Sequence, residues 1–524
     1  MRHASFLLLG LAAALLLAFH PMLFSGLART PGDLGDARLI NYLLEHGWRW
    51  LLRQPLHRDF WSPPIFYPAR NTAAYSDLLL SAGPFYWCWR AAGLPADTAF
   101  QLWLLTVSSL NYLTMYAFLA RVLRLRALGA ALGAVVFTAG NSRVAEIVHP
   151  QLYVHFYTVV AVYALVRFFE TGADAVPKRP SAGTWFGAFC LASVLQIYAS
   201  FYLGWFLMLG LIVAAVIACS RGATRLALFG VLRKRWKPIA GWSAASAALA
   251  APLAWHYLLA AREVGVRDWW AVAYGLPSPP AWFLLDPSSW LYGRLSFLHA
   301  APGEVGMEQL GVGFAVPLLA AWGLWRRRRE PIFYCLLTTA AALVVLVTAV
   351  GPVTAWIAVY LCVPGGAAVR AAYRLSLLVL FAVAVGAASF VHERKRMAVA
   401  VGLALLCVLE QGRTPPTFSK EESRRRIAGV AARIPPGRPP FLYTPTGDPD
   451  SFLEQAFVQV DAMWAGTETG APTLNGYSGN VPPHYPFGNV LVRGEADLAD
   501  RGVWLKDWCE RHGIDPAAVA WIHD

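Results

Sequence analysis

Apolar segments close to the length of a membrane-crossing helix, or somewhat shorter, recur along the chain between short polar stretches. A helix needs roughly 20 apolar residues to cross the hydrocarbon core of a bilayer. The pattern therefore predicts about eleven transmembrane helices, at residues 4–24, 97–120, 127–141, 152–169, 184–199, 201–219, 239–259, 309–325, 332–350, 371–391 and 397–411. The first segment could also be a cleaved signal peptide, but its long apolar core and the poor cleavage junction GLART favour a retained anchor.

The composition agrees with a polytopic membrane protein. The 524 residues are 57% hydrophobic and 14% charged, with a mean hydropathy of +0.46, whereas soluble domains carry roughly 25% charged residues. The net charge of +13 arises from short basic clusters between apolar segments, as in cytoplasmic loops, so nucleic acid is not an expected partner. The seven cysteines show no CxxC or other metal-ligand spacing, which favours buried free thiols.

The basic clusters also predict an orientation. If the N-terminus is cytoplasmic, all five clusters fall on the cytoplasmic side: RVLRLR (121–126), VPKRP (176–180), RGATRL with VLRKRWK (221–237), RRRR (326–329) and HERKR (392–396). The same orientation places four loops outside, at residues 25–96, 142–151, 260–308 and 351–370, together with everything after residue 411.

The tail at residues 412–524 differs in composition from the rest. It holds 14 of the 31 acidic residues against 11 Lys and Arg, and no segment in it could cross a membrane. FLYTP (441–445) and AVAWI (518–522) are typical of strands, and SFLEQAFVQVDAMW (451–464) and EADLADRGVWLKDWCERHG (495–513) of helices. We therefore expect a membrane domain at 1–411 and a small α/β extracytoplasmic domain at 412–524.

Two aspartates stand at the start of the first outer loop, just before an amphipathic helix of the kind that lies along a membrane surface. Asp36 occupies the position of an N-cap, and Asp33 lies in a Pro-Gly-Asp turn. One interpretation is that both are only structural. The alternative is chemical, because the following segment, FWSPPIFYPARNTAAYSDLLL (60–80), contains Asp77 and aromatic residues. These aromatics could form an interfacial belt, or equally stacking walls for a sugar ring or a polyprenyl chain. A carboxylate beside such walls can accept a proton from an acceptor hydroxyl or hold a divalent cation that neutralises a phosphate.

The whole chain resembles the GT-C superfamily, integral-membrane glycosyltransferases that use polyprenyl-phosphate sugars. The resemblance rests on one N-terminal span, an early acidic motif in a large outer loop, many spans and an outer C-terminal domain. More narrowly, GDLGDARLINYLLEHGWRWL (32–51), FYPARNTAAYSD (66–77), GLPADTAFQLW (93–103) and LNGYSGNVPP (474–483) resemble a group of bacterial membrane proteins placed near that superfamily. The resemblance implies an all-α polytopic fold in the bacterial inner membrane, with Asp33 or Asp36 as the catalytic acid.

Many GT-C enzymes carry adjacent or one-spaced acids at this motif, whereas Asp33 and Asp36 are three apart. This departure leaves a divalent cation at the pair as one option among others. Because Asp36 has a competing cap role, the local pattern favours Asp33 as the base.

Other polar residues on the outer side are candidates for substrate binding. Arg370 and Arg374 lie four apart, on one helix face just before a span. Arginine forks suit phosphate oxygens, although arginines that snorkel to the interface would look the same. The remaining candidates, each with an ordinary structural alternative, are Asp77, His149, Gln151, Glu308, Asn475 and Tyr477; Arg143 lies beside the HPQ stretch (149–151).

The leading interpretation is an inverting transferase that moves a sugar from a polyprenyl-phosphate donor to an extracytoplasmic lipid, glycan or protein. The sequence contains no Walker loop, dinucleotide fingerprint, HExxH or GxSxG motif, and no soluble inner-face domain for a nucleotide sugar. A lipid or glycan transporter is the main alternative, and it would place ionisable residues within its spans. A scaffold whose tail recruits partners is a third.

Overall fold

The computed structural model describes residues 2–173, 180–300 and 307–523. It confirms a mostly helical, multi-pass membrane protein. The helices of the body are α1 (Arg2–Phe24), α2 (Asp36–Leu51), α3 (Gly83–Ala91), α4 (Ala96–Ala117), α5 (Ala127–Ala139), α6 (Asn141–Ala145), α7 (Phe156–Ala173), α8 (Ala182–Ala199), α9 (Phe201–Ser220), α10 (Gly222–Lys234), α11 (Trp236–Val264), α12 (Trp269–Ala273), α13 (Ala315–Arg326), α14 (Pro331–Val347), α15 (Trp356–Cys362), α16 (Ser376–His392) and α17 (Met397–Glu410).

Every one of the eleven predicted spans is helical over most of its length. Within the described residues, seven helices are long and apolar enough to cross a bilayer: α1, α4, α7, α8, α9, α11 and α16. The other four predicted spans form α5, α13, α14 and α17, which have 13, 12, 17 and 14 residues. At 1.5 Å per residue these four are shorter than the roughly 30 Å hydrocarbon core.

The centre of the bundle is α16, which packs against α5 and α13. Glycines make these contacts close. A Cβ at Gly133 of α5 would lie 2.8 Å from the carbonyl oxygen of Ala384, and a Cβ at Gly323 of α13 would lie 2.1 Å from that of Gly386. Small residues allow helix backbones to approach in this way, and close packing stabilises helix pairs in a membrane, where the hydrophobic effect between helices is weak.

One end of the bundle gathers basic loops. The backbone N–H of Arg126 donates to Nδ1 of His392 at 2.9 Å, and its guanidinium donates to the carbonyl of Arg394 at 3.3 Å. Arg326 forms an ion pair with Glu393 at 3.3 Å. The clusters at 121–126, 326–329 and 392–396 are therefore together, as the orientation argument requires. The cluster VPKRP lies outside the described residues apart from Pro180.

The other end gathers the loops expected outside and the tail. Strand β1 (Arg29–Pro31) pairs antiparallel with β4 (Thr417–Ser419). Strand β4 is the first element after α17, the last body helix. Between them in the chain lies a small hairpin of β2 (Ala349–Val350) and β3 (Val353–Thr354). Arg267 donates to the carbonyl of Gly479 at 2.9 Å and to Oδ1 of Asn480 at 2.6 Å.

The tail has the mixed composition of elements that its pattern predicts. It contains α18 (Lys420–Ala431), β5 (Phe441–Thr444), α19 (Phe452–Thr469), α20 (Glu495–Arg511) and β6 (Ala520–His523). Strands β5 and β6 pair in parallel, and helices α19 and α20 contribute Val458, Leu505 and Trp508 to the tail's own buried cluster. The first outer loop joins this unit, since the N–H of Tyr67 donates to the carbonyl of Thr473 at 2.9 Å. A domain boundary at residue 411 stays a prediction.

Helix α2 differs from the expectation of a surface helix. Its residues from Ala37 to Gly47 are all buried, because the tail covers its polar side. Arg38 forms an ion pair with Asp461 of α19 at 2.6 Å, and Asp461 also pairs with Arg426 of α18 at 2.7 Å. On the same helix, Glu45 accepts hydrogen bonds from Arg49, Arg90 and Tyr86, so its buried charge is also paired.

The gathered basic loops generate a prediction on topology. By the positive-inside rule we expect that end to be cytoplasmic, and the opposite end and the tail to be outside. Alkaline phosphatase fused to the C-terminus, after Asp524, should be active, and a cytoplasmic reporter at the same point should be inactive. The reverse pattern in well-expressed fusions would contradict the orientation.

Candidate functional site

At the start of helix α2, Asp33 and not Asp36 bonds to a free backbone N–H group of the first turn. Oδ1 of Asp33 accepts the backbone N–H of Ala37 at 3.0 Å, so Asp33 caps the helix. Asp36 is the first helical residue and makes no cap bond. The cause is Gly32, whose φ of +100° turns the chain so that a Cβ there would lie 2.5 Å from the Cβ of Ala37. The expected cap at Asp36 is therefore wrong, and the argument for Asp33 as the base is lost with it.

Asp36 is free to join a cluster of four charged side chains. Its Oδ2 lies 3.4 Å from Nε2 of His149. Nδ1 of His149 lies 3.1 Å from Oε2 of Glu146, and the same oxygen lies 3.2 Å from Nε of Arg374. These distances are those of ion pairs. The angles at Glu146 Oε2, His149 Nδ1 and Arg374 Nε do not meet hydrogen-bond geometry, so these three atoms form no hydrogen bond. Two carboxylates and two basic groups thus alternate along the cluster.

The cluster combines three distant parts of the chain. Asp36 comes from the first outer loop, while Glu146 and His149 come from the short loop after α6. Arg374 lies in a one-turn 3-10 helix, Ala372–Leu375, immediately before α16. The tail adds Tyr477, whose hydroxyl donates to Oδ1 of Asp36 at 3.2 Å. The predicted candidates Asp36, His149, Arg374 and Tyr477 are therefore brought together.

Exposure separates the members of the cluster into an open and a buried part. The Asp36 side chain is 32% exposed and that of His149 22%, whereas Glu146 and Arg374 are 6% and 9% exposed. A second molecule could thus reach the Asp36 carboxylate, and the buried pair behind it would fix the position of His149.

The electrostatics of the cluster follow from these contacts. Burial raises the pKa of Asp36, but the bond to His149 and the charges of His149 and Arg374 outweigh it, so the net pKa is below its ordinary value. Burial and the charge of Arg374 lower the pKa of His149, whereas Asp36 and Glu146 raise it. The two acidic residues outweigh the other effects, so the net pKa of His149 is above its ordinary value of 6.5. Burial raises the pKa of Asp33, and the Ala37 N–H only partly offsets this. Asp36 is therefore the more readily ionised aspartate.

Arg370 and Arg374 do not share a helix face, contrary to the expectation from their spacing. Arg374 is buried beside the rings of Tyr202 and Tyr373, with its guanidinium carbon 5.3 and 5.6 Å from their centroids. Arg370 lies in the preceding coil and is exposed. No ion pair joins it to an acidic residue in the part of the chain that the structure describes. Its positive charge lies close enough to Tyr477 to lower the pKa of that hydroxyl, which burial raises. Arg370 is thus an unpaired cation at the edge of the cluster.

Asp77 lies behind the cluster and serves the fold. Its Oδ1 accepts the N–H of Phe201 at 2.6 Å and its Oδ2 the hydroxyl of Ser200 at 3.3 Å, so it caps α9. Burial raises the pKa of Asp77 to about 6, although the hydrogen bond from the Phe201 N–H and the charge of Arg374 both lower it. The side-chain amide of Gln151 also approaches this carboxyl.

Three other candidates lie outside the cluster. Glu308 accepts the N–H of Ser278 at 3.0 Å and ties together two parts of the same outer loop. Asn475 is fully buried in the tail, where its amide bonds to Tyr443 and Gln459, so it lines no entrance. Arg143 is also fully buried and donates to the carbonyls of Phe137 and Leu152, at 2.7 and 3.1 Å.

Glu146 is the member that sequence reasoning missed. It lies three residues before His149, close to the HPQ stretch and to Arg143, both of which were considered. An acidic residue in a short loop between two apolar segments is expensive to bury unless it is paired, and that cost was the available signal.

The aspartate pair does not fit a divalent cation well. One oxygen of Asp33 caps the helix, and both oxygens of Asp36 are engaged by His149 and Tyr477. Two cationic side chains stand where further acidic ligands would be needed. In the described residues no group of three or more His, Cys, Asp or Glu has the geometry of a metal site.

Comparison with solved structures found three similar chains. The chain is similar to the oligosaccharyltransferase of Archaeoglobus fulgidus solved with a tethered acceptor peptide, with a TM-score of 0.52 and 12% identity over 98% of this chain and 68% of that one. Also found were its apo form, with a TM-score of 0.48 and 12% identity over 88% and 64% of the two chains, and ArnT from Cupriavidus metallidurans in the apo state, with 0.37 and 13% over 97% and 92%.

The first of these likenesses shows that the chain has the GT-C fold, as its resemblance implied. At 12% identity it shows the fold alone. No protein-family profile matches the sequence, and no curated protein matches it.

The raised pKa of His149 predicts a pH dependence of stability. A histidine whose pKa is higher when folded contributes stability that is complete below its unfolded pKa, 6.5, and is lost as the pH rises through the folded value. The wild-type melting temperature should therefore fall more between about pH 6 and about pH 9 than that of His149→Asn. The exposed His484→Asn variant is the control and should follow the wild type. Parallel curves for all three proteins would mean that folding does not raise the pKa of His149.

Proposed function

We propose that this protein is a membrane glycosyltransferase that transfers a sugar from a polyprenyl-phosphate donor to an acceptor hydroxyl on the extracytoplasmic face of the bacterial inner membrane. The observation that carries the proposal is an accessible, ionised Asp36 that a histidine and an arginine support, at the end of a GT-C fold opposite the basic loops. The proposed acceptor is a hydroxyl group of a lipid, a glycan or a protein.

Asp36 is assigned the role of general base. Its low pKa keeps the carboxylate ionised at neutral pH, and the hydrogen bond from Tyr477 and the contact with His149 orient it. The acceptor hydroxyl becomes strongly acidic only as its oxygen bonds to the anomeric carbon. Asp36 then takes the proton while the bond from that carbon to the phosphate oxygen breaks on the opposite side of the sugar, so the product has inverted configuration.

The departing polyprenyl phosphate needs positive charge. Arg374 is fixed by Glu146 and by two tyrosine rings, and its fixed guanidinium would hold the phosphate oxygens without further reorganisation. Arg370, exposed and unpaired within the described residues, would meet the phosphate first and guide it to Arg374. The donor would reach both residues through the bilayer, since Arg374 stands at the beginning of a membrane-crossing helix.

The aspartates generate the central prediction. Asp36→Asn keeps the shape of the side chain but cannot accept a proton, so the transfer rate should fall about 10²- to 10⁴-fold with little change in melting temperature. Asp33→Asn is the matched control, because Asn caps a helix about as well as Asp. Its activity should stay near that of the wild type. The measurement is transfer from a short-chain polyprenyl-phosphate sugar by the detergent-purified protein.

The same assay separates catalysis from transport. Product formed in detergent requires chemistry, because transport needs two separated compartments. A wild-type rate in Asp36→Asn would remove Asp36 as the base, and a larger loss in Asp33→Asn would restore the role to Asp33. Absence of any product with every lipid-linked sugar, together with movement of lipid across a vesicle membrane, would favour the transporter.

The two arginines should respond differently to conservative replacement. Arg374→Lys keeps the charge but loses the guanidinium fork that meets both Glu146 and phosphate, so kcat should fall. Arg370→Lys should raise the KM for the donor only slightly, because an exposed ammonium can still attract phosphate. Arg370→Gln should raise that KM further. Steady-state kinetics at varied donor concentration measure both constants, and unchanged constants in Arg374→Lys would reduce Arg374 to a structural ion pair.

A further inference from the structure

A cavity of about 140 Å³ lies on a different side of α2 from the charged cluster. It is enclosed by α2, α4, α18 and α19, where the tail packs on the body. Residues two apart on a helix point to different faces, so Arg38 looks into this cavity while Asp36 looks into the cluster. The lining residues are Thr30, Ala37, Arg38, Asn41, Pro95, Ala96, Asp97, Phe100, Phe418, Lys420, Ser423, Arg424, Ile427, Trp464 and Glu468.

The innermost part of this cavity contains polar atoms without partners. Arg38 is 3% exposed, and its Nη1 is committed to Asp461 at 2.6 Å and to the carbonyl of Leu34 at 3.3 Å. Its Nε and Nη2 have no hydrogen-bond partner among the described residues. Oδ1 of Asn41, in a side chain 7% exposed, also lacks one there. Buried polar groups of this kind are costly unless something satisfies them.

The unpartnered atoms define the chemistry of a ligand. Nε and Nη2 of an arginine form a parallel pair of donors that matches two oxygens of a carboxylate or a phosphate. Asn41 offers an acceptor oxygen beside this pair, so the ligand should also carry a hydroxyl. A phosphate group with one P–OH meets both requirements, whereas a fully ionised sulfate meets only the first.

The charged residues that line the whole cavity carry a small excess of positive charge. Lys420 and Arg424 stand there with Asp97, which pairs with Arg424 at 2.7 Å and lies 3.7 Å from Lys420. Lys420 in addition donates to Thr98 and Gln101, at 2.8 and 3.1 Å. With Arg38 and Glu468 included, three cationic and two acidic side chains line the cavity, which leaves an excess of one positive charge.

We propose that this cavity is a second ligand site, which binds a phosphate group carrying a hydroxyl, either as free inorganic phosphate or as the headgroup of a phosphate monoester lipid. The phosphate would lie on the Arg38 fork and donate to Asn41, with Phe100 and Trp464 as apolar walls. Because the lining residues come from α2 and from the tail, a bound phosphate would join these two parts. The site is independent of the proposed transferase activity.

Phosphate binding to the full-length protein in detergent tests the proposal. Inorganic phosphate should raise the melting temperature and bind by calorimetry, and sulfate and chloride at equal ionic strength should do so much less. Arg38→Lys keeps the pair with Asp461 but loses the fork, so the phosphate Kd should rise at least about tenfold. Asn41→Leu should reduce the preference for phosphate over sulfate and gives a second variant if Arg38→Lys folds poorly.

A matched control is Arg426→Lys, since Arg426 pairs with the same Asp461 but does not line the cavity. It should bind phosphate like the wild type. Dihexanoyl phosphatidic acid distinguishes the sources: tighter binding than inorganic phosphate, lost in Arg38→Lys, identifies a lipid headgroup, and equal or weaker binding identifies free phosphate. The proposal is overturned if neither probe binds better than sulfate, or if both bind Arg38→Lys and Asn41→Leu as they bind the wild type.

Discussion

The position of Asp36 depends on the buried ion pair between Arg38 and Asp461. Both side chains are almost fully buried, and the indole of Trp464 also donates to the carbonyl of Arg38 at 3.3 Å. Removing the Asp461 carboxylate would leave the buried Arg38 guanidinium without its acidic partner, which is among the more expensive changes a fold can suffer. The tail therefore holds the first turn of α2 in place. The geometry of the candidate site therefore depends on the folding of the tail.

The membrane spans and the tail elements could be predicted because each is a local pattern. A run of apolar residues or a strand such as residues 441–444 needs no knowledge of its neighbours. The environment of α2 could not be predicted in this way. Its alternation of apolar and polar residues is the same for a helix on a membrane surface and for one enclosed by protein, and the partner that decides between them, Asp461, is more than 400 positions away. The tertiary contact overrides the local signal.

The candidate site shows the same division at smaller scale. Asp36, His149, Arg374 and Tyr477 were each identified as single polar residues in outer segments, and only the fold reveals that they meet. Local reasoning failed where backbone geometry intervenes. The left-handed turn at Gly32 moves the cap from Asp36 to Asp33, and the short 3-10 helix before α16 separates Arg370 from the buried arginine.

The spacing of the two aspartates acquires a physical meaning from these contacts. Acids that are adjacent or one apart can share a cation, but here the turn assigns Asp33 to the backbone and leaves one carboxylate facing His149 and Arg374. Each charge that must be balanced in the proposed transfer then has a partner in the chain itself. The histidine balances the base, and the arginines balance the phosphate. Glu146 completes this arrangement, because without its negative charge the cations beside Asp36 would repel one another in a poorly solvated loop.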